Sequence, residues 1–283
     1  MAESSGSSKI PTKIYETVES ECLAFVKECA AEFRWRDLSK DVIMDMGCGS
    51  NLNCCNAILK EFPDVKALVA VDENRSVFDN VNEKDERIQL CVGNIIKRDT
   101  LKEFEGKMDK IISTNLIHQV PNKKLAFENV YYMLKPGGEA AFLFALDTCF
   151  CPFMKAMLKD PPHQAIYKGP DYSTMYPEER RSQFYKQMLE EVGFHNVRTK
   201  EAYHEIPYDS DEACSDDLYE GYKFSFELPP ESVEDFKVKA FQIFMKTMEI
   251  YGGKPPSYRS LMLSIMGLKP ISTSNLKPEQ TTV

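Results

Sequence analysis

The sequence predicts an α/β protein: a doubly wound, mostly parallel seven-stranded sheet with helical insertions that form a cap. Three observations carry this. Short apolar runs of strand length alternate with segments of helical period between residues 42 and 147. The first of these runs, VIMDM at 42–46, breaks abruptly on Gly47 and Gly49. The alternation is then interrupted at 148–177 by a stretch rich in Pro, Tyr and Met, and resumes beyond it.

The elements follow in order. Residues 1–12 read as a flexible leader. Val18, Cys22, Phe25, Val26, Cys29 and Phe33 fall at helical spacing and predict a helix from about residue 13 to 33. Strands are expected at 42–46, 67–72 and 87–94, and a fourth within 107–115. Helices are expected at 53–62, stopped by Pro63, and at 75–82. A helix at 123–135 ends on Pro136, Gly137 and Gly138, and a fifth strand runs from 139 to 147. A helix at 178–194, closed by Gly193, leads to a strand at 195–208. The segment 209–221 is acidic, 231–251 is amphipathic and helical, and 257–268 is the last strand. Residues 13–268 therefore read as one domain with insertions at about 148–177 and 209–256, followed by a loose tail at 269–283.

Composition narrows the partners. The formal net charge is −9, with Lys and Arg scattered among Asp and Glu. No basic face of the kind a phosphate backbone needs is visible, so nucleic acid is not expected. No run reaches the roughly 18 apolar residues of a membrane span, and the polar start MAESSGSS is not a signal or transit peptide. The nine cysteines include no CxxC pair and no Cys/His cluster, which reads as free thiols in a reducing compartment, without a metal. A cytoplasmic protein, a monomer or weak dimer, is the expectation. The terminal TTV is a weak match to a segment captured through its carboxylate.

The chemistry concentrates at 42–118. A buried strand ends with Asp45, and Gly47 and Gly49 let the backbone turn beside a ligand. A dinucleotide loop would put a third glycine at position 52, which is Leu52. An acid two residues before the first glycine suits a ligand with a sulfonium and an ammonium rather than a pyrophosphate. Asp72 closes the next strand about 20 residues on, where a carboxylate can take both hydroxyls of a ribose. Asn94 ends the third strand, where a side chain can meet an adenine amino group. STNLIHQV, 113–120, lies at the carboxyl end of the fourth. Ligands in open α/β sheets collect outside the carboxyl ends of strands, and all four signals fall there. Each has a plainer reading: Asp45 as a turn acid, Asp72 as a helix cap, Asn94 as a strand terminator and His118 as a structural histidine.

VIMDMGCGS, VAVDEN, DKIISTNLIHQV and MLKPGG, in this order and spacing, resemble the class I S-adenosylmethionine-dependent methyltransferases. The resemblance is specific over residues 42–146. It implies S-adenosyl-L-methionine as cofactor, held by Asp45, Met46, Gly47, Cys48, Gly49, Asp72, Glu73, Asn94, Ile95, Asn115 and Leu116. A narrower likeness, over about residues 15–268, is to the arthropod juvenile hormone acid and farnesoic acid methyltransferases. It rests on the helix leading into FRWRDLSK, the pair Ile117-His118 and MLEEVGFHNV. The sequence departs from these families at Asn51, Asn94, Gln119 and Val18.

The expected reaction is methyl transfer to the carboxylate of a small apolar acid, an acceptor already ionised near neutral pH. His118 and Gln119 are the candidates for orienting it, and Tyr15, Val18, Cys22, Phe150 and Tyr176 for lining its site. Two alternatives stay open. An amine N-methyltransferase of the histamine type would need a base, a role His118 also suits. A non-catalytic donor-binding protein is motivated by Asn51 and Asn94.

Overall fold

The computed structural model describes residues 12–79, 81, 84–169, 179, 181–249, 252 and 256–271. Seven strands form one sheet in the order β3-β2-β1-β4-β5-β7-β6. They are β1 (Val42–Met46), β2 (Ala67–Asp72), β3 (Ile88–Val92), β4 (Met108–Thr114), β5 (Leu134–Thr148), β6 (His195–Pro207) and β7 (Ser257–Leu268). The ladders β3-β2, β2-β1, β1-β4 and β4-β5 are all parallel. This is the mostly parallel α/β sheet that the alternating pattern predicts. The strand order reverses between β1 and β4, so the carboxyl ends of these two strands border a topological switch point.

Contacts divide the chain into two compact units. The first holds the described residues of Cys22–Leu143, Arg181–Lys200 and those from Ser264 onward. Its core is built on β1, β2 and β4, where Ile43, Met44, Leu68, Val71, Ile111 and Ile112 are all buried. Parallel strands covered on both faces need such unbroken apolar runs. Helix α1 (Thr12–Phe33) turns Cys22, Phe25, Val26 and Cys29 inward, which is one stripe of a 3.6-residue period. It ends at Arg34, whose φ of 60° lets Trp35 donate its N–H to the Ala30 carbonyl at 2.9 Å. Helix α2 (Asn53–Glu61) buries Cys54, Cys55, Ala57 and Ile58. Helix α3 (Lys123–Met133) is capped by Asn122, whose side chain accepts from the Leu125 N–H at 3.0 Å.

The second unit holds the described residues of α1 up to Glu21, of Phe144–Arg180 and of Glu201–Leu263. It contains helices α4 (Phe150–Met157), α5 (Pro161–Ala165), α7 (Asp211–Tyr222) and α8 (Val233–Met248); α6 (Ser182–Val192) belongs to the first unit. The core of the second unit gathers Phe153, Met154, Leu218, Phe236 and Phe244 around Cys149 and Cys214.

Two local expectations change. The helix expected at 75–82 is a single 3₁₀ turn, Arg75–Phe78. Asn74 caps it by accepting from the Ser76 N–H at 3.1 Å, but the turn buries no residue, so no apolar face sustains a longer helix. The residues Lys135–Gly138, read as a helix end and loop, lie within β5, which begins at Leu134. Their backbone is paired from outside: Gly137 donates to the Lys269 carbonyl at 2.9 Å, and Lys269 donates to that of Gly138 at 2.8 Å. The acidic segment at 209–221 forms α7, with Ser210 accepting from the Ala213 N–H at 3.0 Å and Asp211 and Glu212 in its first turn.

Candidate functional site

The site lies within the first unit, where β1, β2, β3 and β4 end. After Met46 the chain stays bound to the end of β2: Gly47 and Cys48 both donate their N–H to the Val71 carbonyl, at 2.8 and 3.0 Å. Gly47 adopts a φ of 79°, and a Cβ there would stand 2.9 Å from Leu116 Cδ2. That side chain, from the loop after β4, therefore packs directly on the glycine backbone. Gly49, with a φ of 61°, has nothing within 4 Å of where a Cβ would be. One glycine makes room for protein and the other faces open space.

Asp72 ends β2 and ties this loop down. Its Oδ2 accepts from the Gly49 N–H at 3.1 Å and its Oδ1 from the Asn74 N–H at 2.9 Å. A carboxylate oxygen accepts more than one hydrogen bond, so Asp72 retains lone pairs for hydroxyl donors.

Asp45 is enclosed differently. It is 1% exposed, at the carboxyl end of β1. Its Oδ2 accepts from the Cys55 thiol at 3.3 Å, and its buried Oδ1 has no hydrogen-bond partner. Burial, and to a lesser degree the nearby charge of Asp72, pushes the carboxyl up to about 7. An unpaired buried carboxylate oxygen is costly, and a cation arriving beside it would relieve that cost.

At β3 the chain turns on Gly93 and Asn94. Asn94 is committed to its own loop: its Oδ1 accepts from the Ile96 N–H at 2.8 Å, and its Nδ2 donates to Glu73. Ile95 is buried, and its carbonyl accepts from Asn129 Nδ2 at 2.7 Å. At β4, Ser113 Oγ donates to the Met46 carbonyl at 2.8 Å and so joins the ends of β1 and β4. Asn115 takes a φ of 58°, and its carbonyl accepts from Gln119 Nε2 at 3.0 Å. Gln119 is exposed, whereas His118 is only 7% exposed. Burial, with the charge of Lys123 second, lowers the imidazole to about 4, so it is neutral at pH 7. Lys123 is itself buried and donates from Nζ to the Val120 carbonyl at 2.7 Å; burial lowers it to about 8.

Asp45, Gly47, Gly49, Asp72 and Leu116 are thus brought to one loop cluster. Glu73 and Asn94 are hydrogen-bonded to each other at the ends of β2 and β3. Cys22 is fully buried and donates its thiol to Thr114 Oγ1 at 3.6 Å. Val18 is half-buried on α1, and Tyr15 lies on the same helix. Phe150, in the second unit, meets Tyr222 edge-on and lies tilted against Phe244 and Tyr258. Tyr176 lies outside the described residues. Cys55 escaped the sequence reading: a thiol ten residues beyond Asp45 carries no signal until α2 folds back over β1.

The sequence profile of the family described as Methyltransferase domain matches residues 37–202, more than half of the chain. The chain belongs to this methyltransferase family. The juvenile hormone acid O-methyltransferase of Drosophila melanogaster is 25% identical over 185 residues, which span 61% of this chain and 61% of that protein. Among solved structures, the YcgJ protein from Bacillus subtilis superposes with a TM-score of 0.59 at 15% identity, over 89% of this chain and 99% of that one. Phosphoethanolamine N-methyltransferase 2 of Haemonchus contortus, solved with S-adenosyl-L-methionine, superposes with a TM-score of 0.54 at 14% identity. That match covers 89% of this chain and 52% of the other. These likenesses identify the fold of the methyltransferase domain. The loop cluster described above falls inside the matched region.

Proposed function

We propose that this methyltransferase-family protein uses S-adenosyl-L-methionine to methylate the carboxylate of a small apolar acid of the farnesoic or juvenile hormone acid kind. The observation that carries the cofactor reading is the unpartnered, buried Oδ1 of Asp45 beside a glycine turn open at Gly49. In this reading Asp45 faces the cationic methionine end. Asp72 accepts from the ribose hydroxyls. Met46, Gly47, Cys48, Asn115 and Leu116 form the walls, and Glu73, Asn94 and Ile95 border the adenine.

The bound donor supplies an electrophilic methyl group on a positively charged sulfur. The acceptor's carboxylate oxygen forms a bond to that carbon as the carbon–sulfur bond breaks, and the electron pair stays on sulfur. No proton moves, so the protein has to align two reactants rather than supply a base. His118 and Gln119 are the residues we assign to orienting the acceptor. A neutral imidazole held at about 4 is far too weak a base to free the lone pair of an alkylammonium near 10, so His118 favours a carboxylate over an amine. The name of the Drosophila relative supports the same acceptor class.

We take residues 13–268 as one functional methyltransferase domain and the protein as a cytoplasmic monomer or weak dimer without nucleic-acid partners. The nine cysteines are thiols rather than disulfides, which suits a reducing compartment. Among the described residues no helix is long and apolar enough to cross a membrane.

The test is transfer of labelled methyl from S-adenosyl-L-methionine to a panel of apolar carboxylic acids and amines. An alkali-labile, acid-stable product supports the proposal. A base-stable product on amines alone would move the assignment to an N-methyltransferase. Donor binding without turnover on any acceptor would make the protein a non-catalytic binder.

A further inference from the structure

We infer that Cys55 is a positioning residue for the cofactor: its thiol holds Oδ2 of Asp45 so that Oδ1 alone is presented, ionised, to the cation of the bound donor. The inference rests on the cofactor reading above. It adds a residue from outside the glycine loop, on the helix that follows it.

Two independent features meet at this carboxylate. The Cys55 Sγ stands 3.3 Å from Asp45 Oδ2, and the opposite oxygen, equally shielded from water, has no partner. Cys55 lies in the first turn of α2 and is fully buried, so its thiol cannot rotate out to solvent. Burial, together with the Asp45 charge, holds the thiol far above its ordinary range, so it remains a donor across physiological pH. A hydrogen bond to the charged form of a carboxylate favours that form. Every other titratable group near Asp45 acts in the opposite sense or is silent. Asp72, from β2, is an acid and raises it, while Cys48 from the turn and Cys54 from α2 are buried, protonated thiols. Cys55 is therefore the residue that opposes the effect of burial on this carboxylate, through its thiol first and its backbone N–H second, and the thiol is the part a substitution removes.

The consequence is a characteristic pH dependence. Protonation of Asp45 removes its attraction for a cation, so affinity for S-adenosylhomocysteine, which carries the same ammonium, falls as pH drops through the Asp45 transition. Without the thiol the transition moves to higher pH. In Cys55→Ala the affinity measured by calorimetry at pH 6.5 is expected to be about three- to tenfold weaker than wild type, the strength of one such hydrogen bond. The difference closes to within about twofold at pH 8.5, where Asp45 is ionised in both proteins. Cys55→Ser restores a donor and should return the wild-type profile. Cys55→Val fills the site without a donor and carries the same expectation as alanine if the smaller residue prevents folding.

A Cys55→Ala or Cys55→Val curve that is lowered equally at every pH, or that coincides with wild type, overturns the inference, because packing alone would produce the first. Failure of the underlying reading gives a different signature. Asp45→Asn would then bind S-adenosylhomocysteine as tightly as wild type, with the same pH profile.

Discussion

The backbone N–H of Gly49 donates to Oδ2 of Asp72 at 3.1 Å, across 23 residues of sequence. This bond fixes the glycine turn at the end of β1 against the end of β2. Asp72 thereby serves as a loop anchor as well as a candidate ribose acceptor. Asp72→Ala removes both, and a hydrogen bond to a charged group contributes about 1.5–3 kcal/mol. Affinity for S-adenosylhomocysteine should fall about ten- to a hundredfold, read by calorimetry at pH 7.5. Unchanged affinity would remove Asp72 from the site.

Gly47 and Gly49 differ in what surrounds them, and their alanine variants should differ too. Both sit at positive φ, a strain of about 1–2 kcal/mol for any residue with a Cβ. Only at Gly47 does the new methyl also meet Leu116, at 2.9 Å. Gly47→Ala should therefore lower the denaturation midpoint more than Gly49→Ala. The double variant Gly47→Ala/Leu116→Ala should recover part of the difference in a double-mutant cycle.

Asp45 imposes a stability cost with a defined pH window. Its ordinary value is 3.8 and its folded value about 7, so the unfolded chain loses this proton first as pH rises. Stability is intact below about 4, declines between 4 and 7, and carries the full penalty, on the order of 4 kcal/mol, above 7. Asp45→Asn should raise the melting temperature of the ligand-free protein at pH 8 and change it little at pH 4. Equal effects at both pH values would contradict the buried, ionising carboxylate.

His118 works in the other direction. Its folded value of about 4 lies below the ordinary 6.5, so the unfolded chain takes up the proton first as pH falls. Stability from this group is full above 6.5 and is lost down to about 4, by an amount on the order of 3 kcal/mol. His118→Gln should flatten the stability profile between pH 4 and 6.5. Persistence of the wild-type slope would place the acid sensitivity elsewhere.

Much of this was readable in the chain. VIMDM followed by Gly47 and Gly49 announces a buried strand and a sharp turn, because both depend on neighbouring residues alone. β1, β2, α2 and β7 fall within a residue of expectation. The misplaced start of β5 has a different origin. Within Lys135–Gly138, Gly137 and Gly138 pair with Lys269, more than 130 residues away, and Pro and Gly in such a stretch read locally as a break. Arg75–Phe78 fails as a helix because docking, not propensity, would have to sustain it.

The sequence alone determined the α/β alternation and the placing of Asp45, Asp72, Asn94 and His118 at consecutive strand ends, since periodicity and turn chemistry are written in adjacent residues. Only the tertiary structure decided which oxygen of Asp45 is satisfied, that Asn94 turns to Glu73, and that burial lowers His118 below its ordinary range. Those properties depend on burial and on partners brought together through space, and neither is encoded within one segment of chain.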